Sequence, residues 1–305
     1  MNRNLISIRD FDRDELMAVV ERASTIADNP TQVPQVLDGK VIGIFFQKTS
    51  TRTRTAFSSG ALRLGASIIS YGPDDLQLNT GETVEDTARV LSSMIDALVI
   101  RGPIPLSEMA LYGQPETMSV INAMCNEEHP TQAIADLAVL RHHFGSVAGL
   151  KMVYFGEGNN TAVALALGCA LARIDLELRT PRGYGVPVEI LDLARAAGQT
   201  GSVVQRHDLV DLPDDVDVVY TTRWQTTGTA KANPDWRTDF TPFGVDEDLF
   251  GHFPRAVFMH DLPAHRGEEV TAGVLDGPRS IALHQAQFKL FGAMACLEWC
   301  FQPSR

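Results

Sequence analysis

Short apolar runs recur along the whole chain, and each is followed by a stretch of helical periodicity. Val41–Phe46, Ser67–Ser70, Ala97–Ile100 and Ser119–Asn122 read as strands, with helices expected from Thr51, from Val84, near Leu106 and from Pro130. After Gly145-Ser-Val-Ala-Gly149 the alternation resumes. Lys151–Phe155, Ile174–Arg179, Ser202–Gln205, Val216–Thr221 and Ala256–Met259 are expected as strands, with helices from Asn160 and Pro187. Terminal helices are expected over Arg9–Ala27 and Leu283–Cys300. Such alternation demands parallel sheets covered by helices. The expected class is α/β, with two doubly wound parallel-sheet domains divided near residues 130–150, and 305 residues suffice for both. Ligands in these sheets sit beyond the carboxyl ends of the strands. The Thr-rich stretch Trp224–Phe243 fits no element and is expected to be a mobile loop.

Composition removes several function classes. The net charge of −12 argues against a nucleic-acid or acidic-membrane surface. No apolar run approaches the roughly 20 residues of a membrane helix, and Met1-Asn-Arg-Asn-Leu-Ile-Ser lacks a signal-peptide core, so a cytoplasmic location is expected. The four cysteines, Cys125, Cys169, Cys296 and Cys300, form no CxxC pair and read as buried thiols. No His/Cys spacing suits a metal, and none is expected.

The densest chemistry lies in Lys48-Thr49-Ser50-Thr51-Arg52-Thr53-Arg54-Thr55-Ala56, between a strand and a helix. Backbone N–H groups, hydroxyls and guanidinium groups concentrated there suit a phosphate. Arg52 and Arg54 cannot share one helical face. Arg52 is expected to reach the anion, and Arg54 to turn inward or toward a neighbouring subunit.

A second motif, His129-Pro130-Thr131-Gln132, precedes Ala-Ile-Ala-Asp-Leu. Leu98-Val99-Ile100-Arg101-Gly102, Gly156-Glu157-Gly158-Asn159-Asn160 and His260-Asp261-Leu262-Pro263-Ala264-His265-Arg266-Gly267-Glu268-Glu269-Val270 complete a series. In this order the motifs resemble the aspartate/ornithine carbamoyltransferase family essentially end to end. The resemblance implies a carbamoyl-phosphate-binding domain over 1–140 and an acceptor-binding domain over 141–305, with the final helix, about 283–300, returning to the first. It implies small-molecule substrates (carbamoyl phosphate and an amino acid), no cofactor, and a homotrimer with sites at subunit interfaces. By motif, Ser50, Thr51, Arg52 and Thr53 would hold the phosphate. Arg101 would bridge phosphate and carbonyl oxygen, His129 would donate to that oxygen, and Gln132 and the Leu262 carbonyl would hold the carbamoyl NH2. Leu262–Pro263 is expected to be cis on the same ground. Loop 76–83 matches a segment that enters a neighbour's site, where Gln77 would contact phosphate and Glu82 would pair with Arg54. This loop lacks the lysine of both main branches.

The acceptor residues are a hybrid. Where ornithine enzymes carry an Asp this chain has Thr222, and their Ser-Met pair is Thr226-Thr227. Their His-Cys-Leu-Pro cysteine is Asp261, and an arginine of the last helix is Lys289. Thr222-Arg223-Trp224-Gln225 instead is similar to aspartate enzymes, whose Arg and Gln grip a carboxylate. Asn160 is ornithine-like. The pattern suits an acceptor with a carboxylate on Arg223 and Gln225 and an ammonium near Asp261: ornithine, or a shorter diamino acid such as 2,3-diaminopropionate. Aspartate is the alternative, as is a catalytically silent carbamoyl-phosphate-binding relative. A dinucleotide site at Gly156–Asn160 would need a third glycine where Thr161 and Ala162 stand.

Overall fold

A computed structural model describes residues 3–114, 116–198, 201–225 and 230–302. The chain divides into two compact units, one up to Ala138 together with residues from Phe288 onward, the other Val139–Gln287.

In the first unit, β1 (Val41–Phe46), β2 (Ser67–Tyr71), β3 (Ala97–Arg101) and β4 (Ser119–Asn122) form a parallel sheet in the order β2-β1-β3-β4. Helices α1 (Arg13–Asp28), α2 (Arg52–Arg63), α3 (Val84–Leu91) and α4 (Leu106–Tyr112) accompany it, and α5 (Pro130–Phe144) follows β4. The central strands are buried almost throughout, which is why they read as unbroken apolar runs. The first long helix begins at Arg13, not Arg9. Ser7 caps a separate turn, Ile8–Asp10, and Asp12 with Glu15 forms a capping box that sets the later start.

In the second unit, β5 (Lys151–Phe155), β6 (Asp175–Arg179), β7 (Val203–Arg206), β8 (Val218–Thr221) and β9 (Val257–His260) make a parallel sheet ordered β7-β6-β5-β8-β9. Between them come α6 (Asn160–Ala172), α7 (Val188–Ala197), α8 (Trp236–Phe240) and α9 (Glu247–Gly251). Then follow α10 (Ala272–Leu275) and the terminal α11 (Ala282–Cys300). Helix α6 is apolar all round and buried on nearly every side, as expected of a helix inside a core.

Residues of α11 that belong to the first unit pack on its N-terminal segment. Trp299 meets Phe11 with ring centroids 4.6 Å apart, and Glu298 takes both Arg22 Nε and Nη2 at 2.6 and 2.8 Å. All four cysteines are buried thiols. Among the described residues, no helix is long and apolar enough to cross a membrane.

Candidate active site

The strand order of the first sheet reverses between β1 and β3, so the crevice of a doubly wound sheet opens at their carboxyl ends. Phe46 and Arg101 are register partners there, and the Gln47 amide donates to the Arg101 carbonyl at 2.9 Å. Gly102 makes room for the Gln47 side chain; a Cβ on it would lie 1.9 Å from Gln47 Oε1. The turn from Gln47 to Thr51 lines a pocket of about 380 Å³ with Phe46, Arg54 and Pro73. Thr51 does not cap α2 with its side chain. The amides of a first helical turn have no intrahelical acceptor, so this terminus faces the pocket with donors and positive dipole.

Thr53 is buried, and its Oγ1 accepts from Arg101 Nη1 at 3.1 Å. The same nitrogen lies 3.4 Å from His129 Nε2. A guanidinium can only donate, so Nε2 turns its lone pair to Arg101, and Nδ1 carries the proton, 3.5 Å from Thr131 Oγ1. Burial, then the charges of Arg101 and Lys289, hold His129 well below the ordinary histidine range. The imidazole is therefore neutral near pH 7. Pro130 starts α5, leaving His129 just ahead of the helix, where its carbonyl accepts from the Gln132 amide at 3.0 Å. Arg54 turns inward: its Nη2 donates to the Phe46 carbonyl at 3.3 Å, and its guanidinium lies 5.2 Å from the centre of the Phe46 ring.

Lys289 lies in the part of α11 that belongs to the first unit, as expected of the final helix, and its Nζ donates to Gln132 Oε1. Gln132 Nε2 donates to Asp136 Oδ1 at 2.7 Å, so the amide is held at both ends. Lysine keeps one long apolar stem buried while its ammonium finds this polar partner. Asp136, the aspartate of the Ala-Ile-Ala-Asp-Leu run, sits one helical turn after Gln132 on the same face.

Exposed Gln77 keeps its amide oxygen on Thr80 Oγ1 at 2.9 Å. Glu82, expected as a partner for Arg54, accepts from Thr87 Oγ1 at 2.6 Å within this chain.

The second unit repeats the logic of the first. Phe155, Thr221 and His260 are aligned across β5, β8 and β9, which brings residues 156–160, 222–225 and 261–262 to one edge of the sheet. Asp261 turns inward. Its carboxylate accepts from Thr222 Oγ1 at 2.8 Å and from Thr161 Oγ1 at 3.1 Å, and its side chain is 15% exposed. Asn159 caps α6 through the amides of Thr161 and Ala162, and Asn160 is buried in its first turn. His260 Nδ1 accepts from the Leu262 amide at 2.8 Å, which leaves the ring proton on Nε2, 3.3 Å from Glu269 Oε1. Leu262–Pro263 is cis, and Leu262 lies at φ 54°. Arg223 and Gln225 are half-buried immediately after Thr222. Thr226 and Thr227 lie outside the described residues.

One expectation about this unit changes. Trp224–Phe243 is not wholly irregular: α8 and a 3-10 turn, Thr241–Phe243, occupy its end. Trp224, Trp236 and Phe240 are buried together against Tyr184, because three large rings in so short a stretch have apolar area to remove from water. His265, Glu268 and Glu269 bring ligand-type atoms within 4.8 Å of one another. Glu269 serves there as acceptor for His260 and for the His265 amide.

Comparison with known proteins follows the two units. Residues 3–142 match the model of the aspartate/ornithine carbamoyltransferase carbamoyl-P binding domain, and residues 148–300 that of the Asp/Orn binding domain. The chain is 35% identical over 303 residues to an ornithine carbamoyltransferase of Bacillus subtilis, covering 97% of this chain and 93% of that one. It is 37% identical over 302 residues to an anabolic ornithine carbamoyltransferase of Pyrococcus furiosus, covering 97% and 95%. A solved ornithine carbamoyltransferase structure from Pyrococcus furiosus superposes with a TM-score of 0.91 at 36% identity, covering 97% and 96% of the two chains.

Proposed function

The chain belongs to the aspartate/ornithine carbamoyltransferase family and is a carbamoyltransferase, and we propose that the amine it carbamoylates is that of a diamino acid, ornithine before the shorter 2,3-diaminopropionate. The observation that carries this reading is Asp261, a half-buried carboxylate fixed by Thr222 and Thr161 at the acceptor edge of the second sheet. Such a group attracts an ammonium and repels a second carboxylate. The relatives named as ornithine enzymes support the same choice.

In the proposed reaction, Ser50, Thr51, Arg52 and Thr53 bind the phosphate of carbamoyl phosphate, joined by Gln77 of a neighbouring subunit in a homotrimer. Arg101 spans the phosphate and the carbonyl oxygen. As Arg101 turns to the ligand, His129 is released to take the Nε2–H tautomer and donate to that oxygen. A neutral donor suffices because the oxyanion is already opposed by Arg101. Gln132, steadied by Lys289 and Asp136, and the Leu262 carbonyl orient the carbamoyl NH2. Arg223 and Gln225 hold the acceptor carboxylate, with Asn160 and Asp261 nearby for its second amine. Thr226 and Thr227 complete this pocket in the proposal. The free amine attacks the carbamoyl carbon, a C–N bond forms as the C–O bond to phosphate breaks, and the amine proton leaves with the phosphate. Binding and orientation supply most of the rate enhancement in this scheme.

The test is phosphate release from carbamoyl phosphate with ornithine, 2,3-diaminopropionate, aspartate, putrescine and lysine, against an enzyme-free control. Ornithine is expected to give the highest kcat/KM. Preference for aspartate would overturn the reading of Asp261, and silence with every amine would point to the silent relative.

A further inference from the structure

The side chain of Lys231, in the second unit, is 6% exposed. Its Nζ lies 5.0 Å from the ring centre of Tyr184, 5.2 Å from Trp236 and 4.9 Å from Phe240. It also forms an ion pair with Glu157, of the loop that follows β5. Three π faces and one carboxylate around a single ammonium constitute an aromatic cage.

The surroundings are built to hold this shape. Gly158 donates to the Tyr184 carbonyl at 2.7 Å, and a Cβ on Gly158 would meet Val186 N at 2.1 Å. Glycine there lets the Glu157 loop press against the backbone that carries Tyr184. Trp236 and Phe240 pack edge to face at 5.4 Å, Tyr184 and Phe240 lie 4.9 Å apart, and Trp224 closes the far side of Phe240 at 5.7 Å. Trp224 is the residue between Arg223 and Gln225. Tyr154 ties the arrangement to the β5 edge: its hydroxyl donates to the Glu157 carbonyl at 2.5 Å.

We propose that Glu157, Tyr184, Trp236 and Phe240 form a binding site for a primary alkylammonium, filled in this chain by its own Lys231, and that this internal ligand positions the Arg223–Gln225 segment for the acceptor. Lys231 is thus a positioning residue; its role for the acceptor rests on the function proposed above, whereas the cage itself does not. Occupation by Lys231 also neutralises Glu157, leaving Asp261 as the carboxylate offered to the substrate ammonium.

The experiment empties the cage and refills it from solution. Lys231→Ala is titrated with n-propylammonium, followed by tryptophan fluorescence with neither substrate present, because Trp236 and Trp224 report on the cage directly. A saturable change is expected in the variant and none in the parent protein, and n-propanol, of similar shape without charge, is expected to give none. In turnover, Lys231→Ala is expected to raise the acceptor KM about tenfold with the carbamoyl phosphate KM within twofold. Added n-propylammonium restores the acceptor KM, and Lys231→Arg keeps it within about threefold. Absence of a saturable signal in a variant that still binds carbamoyl phosphate overturns the cage, whatever the acceptor proves to be. A signal without any change in acceptor KM overturns the positioning role. Should Lys231→Ala not fold, Glu157→Gln keeps the rings and the lysine: an acceptor KM raised about fivefold supports the proposal, and an unchanged one contradicts it.

Discussion

The carboxyl-end edges of the two sheets, where the proposal places the substrates, are built differently. In the first unit, the turn after β1, the end of β3 and the start of α5 supply Thr53, Arg101 and His129, already in mutual contact. In the second, the first turn of α6 and the loops after β8 and β9 each contribute one part of a cluster centred on Asp261. A phosphate has one chemistry, so its site is confined to cations, hydroxyls and amides. An acceptor pocket has only to place an opposite charge at the right point, and that charge can reside on any of several neighbouring strands. The resemblance puts an acid of ornithine enzymes where this chain has Thr222; in the proposal that acid is Asp261, one strand away, to which Thr222 hydrogen-bonds. On the proposed reading, a charge has moved between strands while its location in space is kept.

The largest effects should fall in the first region. Arg101→Ala is expected to lower kcat/KM for carbamoyl phosphate by about three orders of magnitude, near 4 kcal/mol, as loss of a preorganised oxyanion partner does; a loss below tenfold in steady-state kinetics would remove Arg101 from the chemistry. In the second region, Asp261→Asn should raise the ornithine KM roughly 30-fold, about 2 kcal/mol, with carbamoyl phosphate binding by calorimetry unaltered. Equal loss for both substrates would erase the distinction between the edges. Arg223→Ala should raise the acceptor KM about tenfold, the size of one solvated charge-assisted contact.

Effects of pH are smaller and separate the regions again. The acceptor kcat/KM should climb from pH 7 toward 9 as free amine becomes available. Neutral His129 should leave the carbamoyl phosphate kcat/KM flat over the same range, and an inflection near the ordinary histidine range would contradict its lowered pKa. Stability gives the smallest signal. Burial, with neighbouring positive charge, lowers the folded pKa of His129, and burial with His142 and His143 lowers that of His284. Below about pH 6.5 the unfolded chain then binds protons that the native chain refuses, so stability is full above that pH and declines as pH falls. Urea midpoints should drop between pH 6.5 and 5, and a constant midpoint would argue against both assignments.

Much of the fold was legible because parallel strands buried on both faces leave unbroken apolar runs; Val41–Phe46 and Lys151–Phe155 were bounded as found. The start of α1 was misread because the pattern of apolar residues continues through Ile8 while caps, which depend on side-chain geometry, divide it. Thr53, Arg101 and His129, which the structure brings into contact, stood out because each lies in a short motif that resembles the family. The contact between Lys289 and Gln132 was not legible because the two are distant in sequence and lie on different helices. Thr161, Lys231 and Tyr184 carried no signal at all: a hydroxyl, a lysine and a ring have ordinary surface uses, and only the close approach at Gly158 and the alignment of β5, β8 and β9 give them a common role.

The most direct test of the exchanged acid is the ornithine KM of Asp261→Asn beside that of Thr222→Asp combined with Asp261→Asn. Restoring the acid at 222 is predicted to recover at least a third of the affinity lost at 261, with carbamoyl phosphate binding constant throughout. A double variant no better than Asp261→Asn alone would contradict the account, since the charge would then be tied to residue 261 and not to the place it occupies.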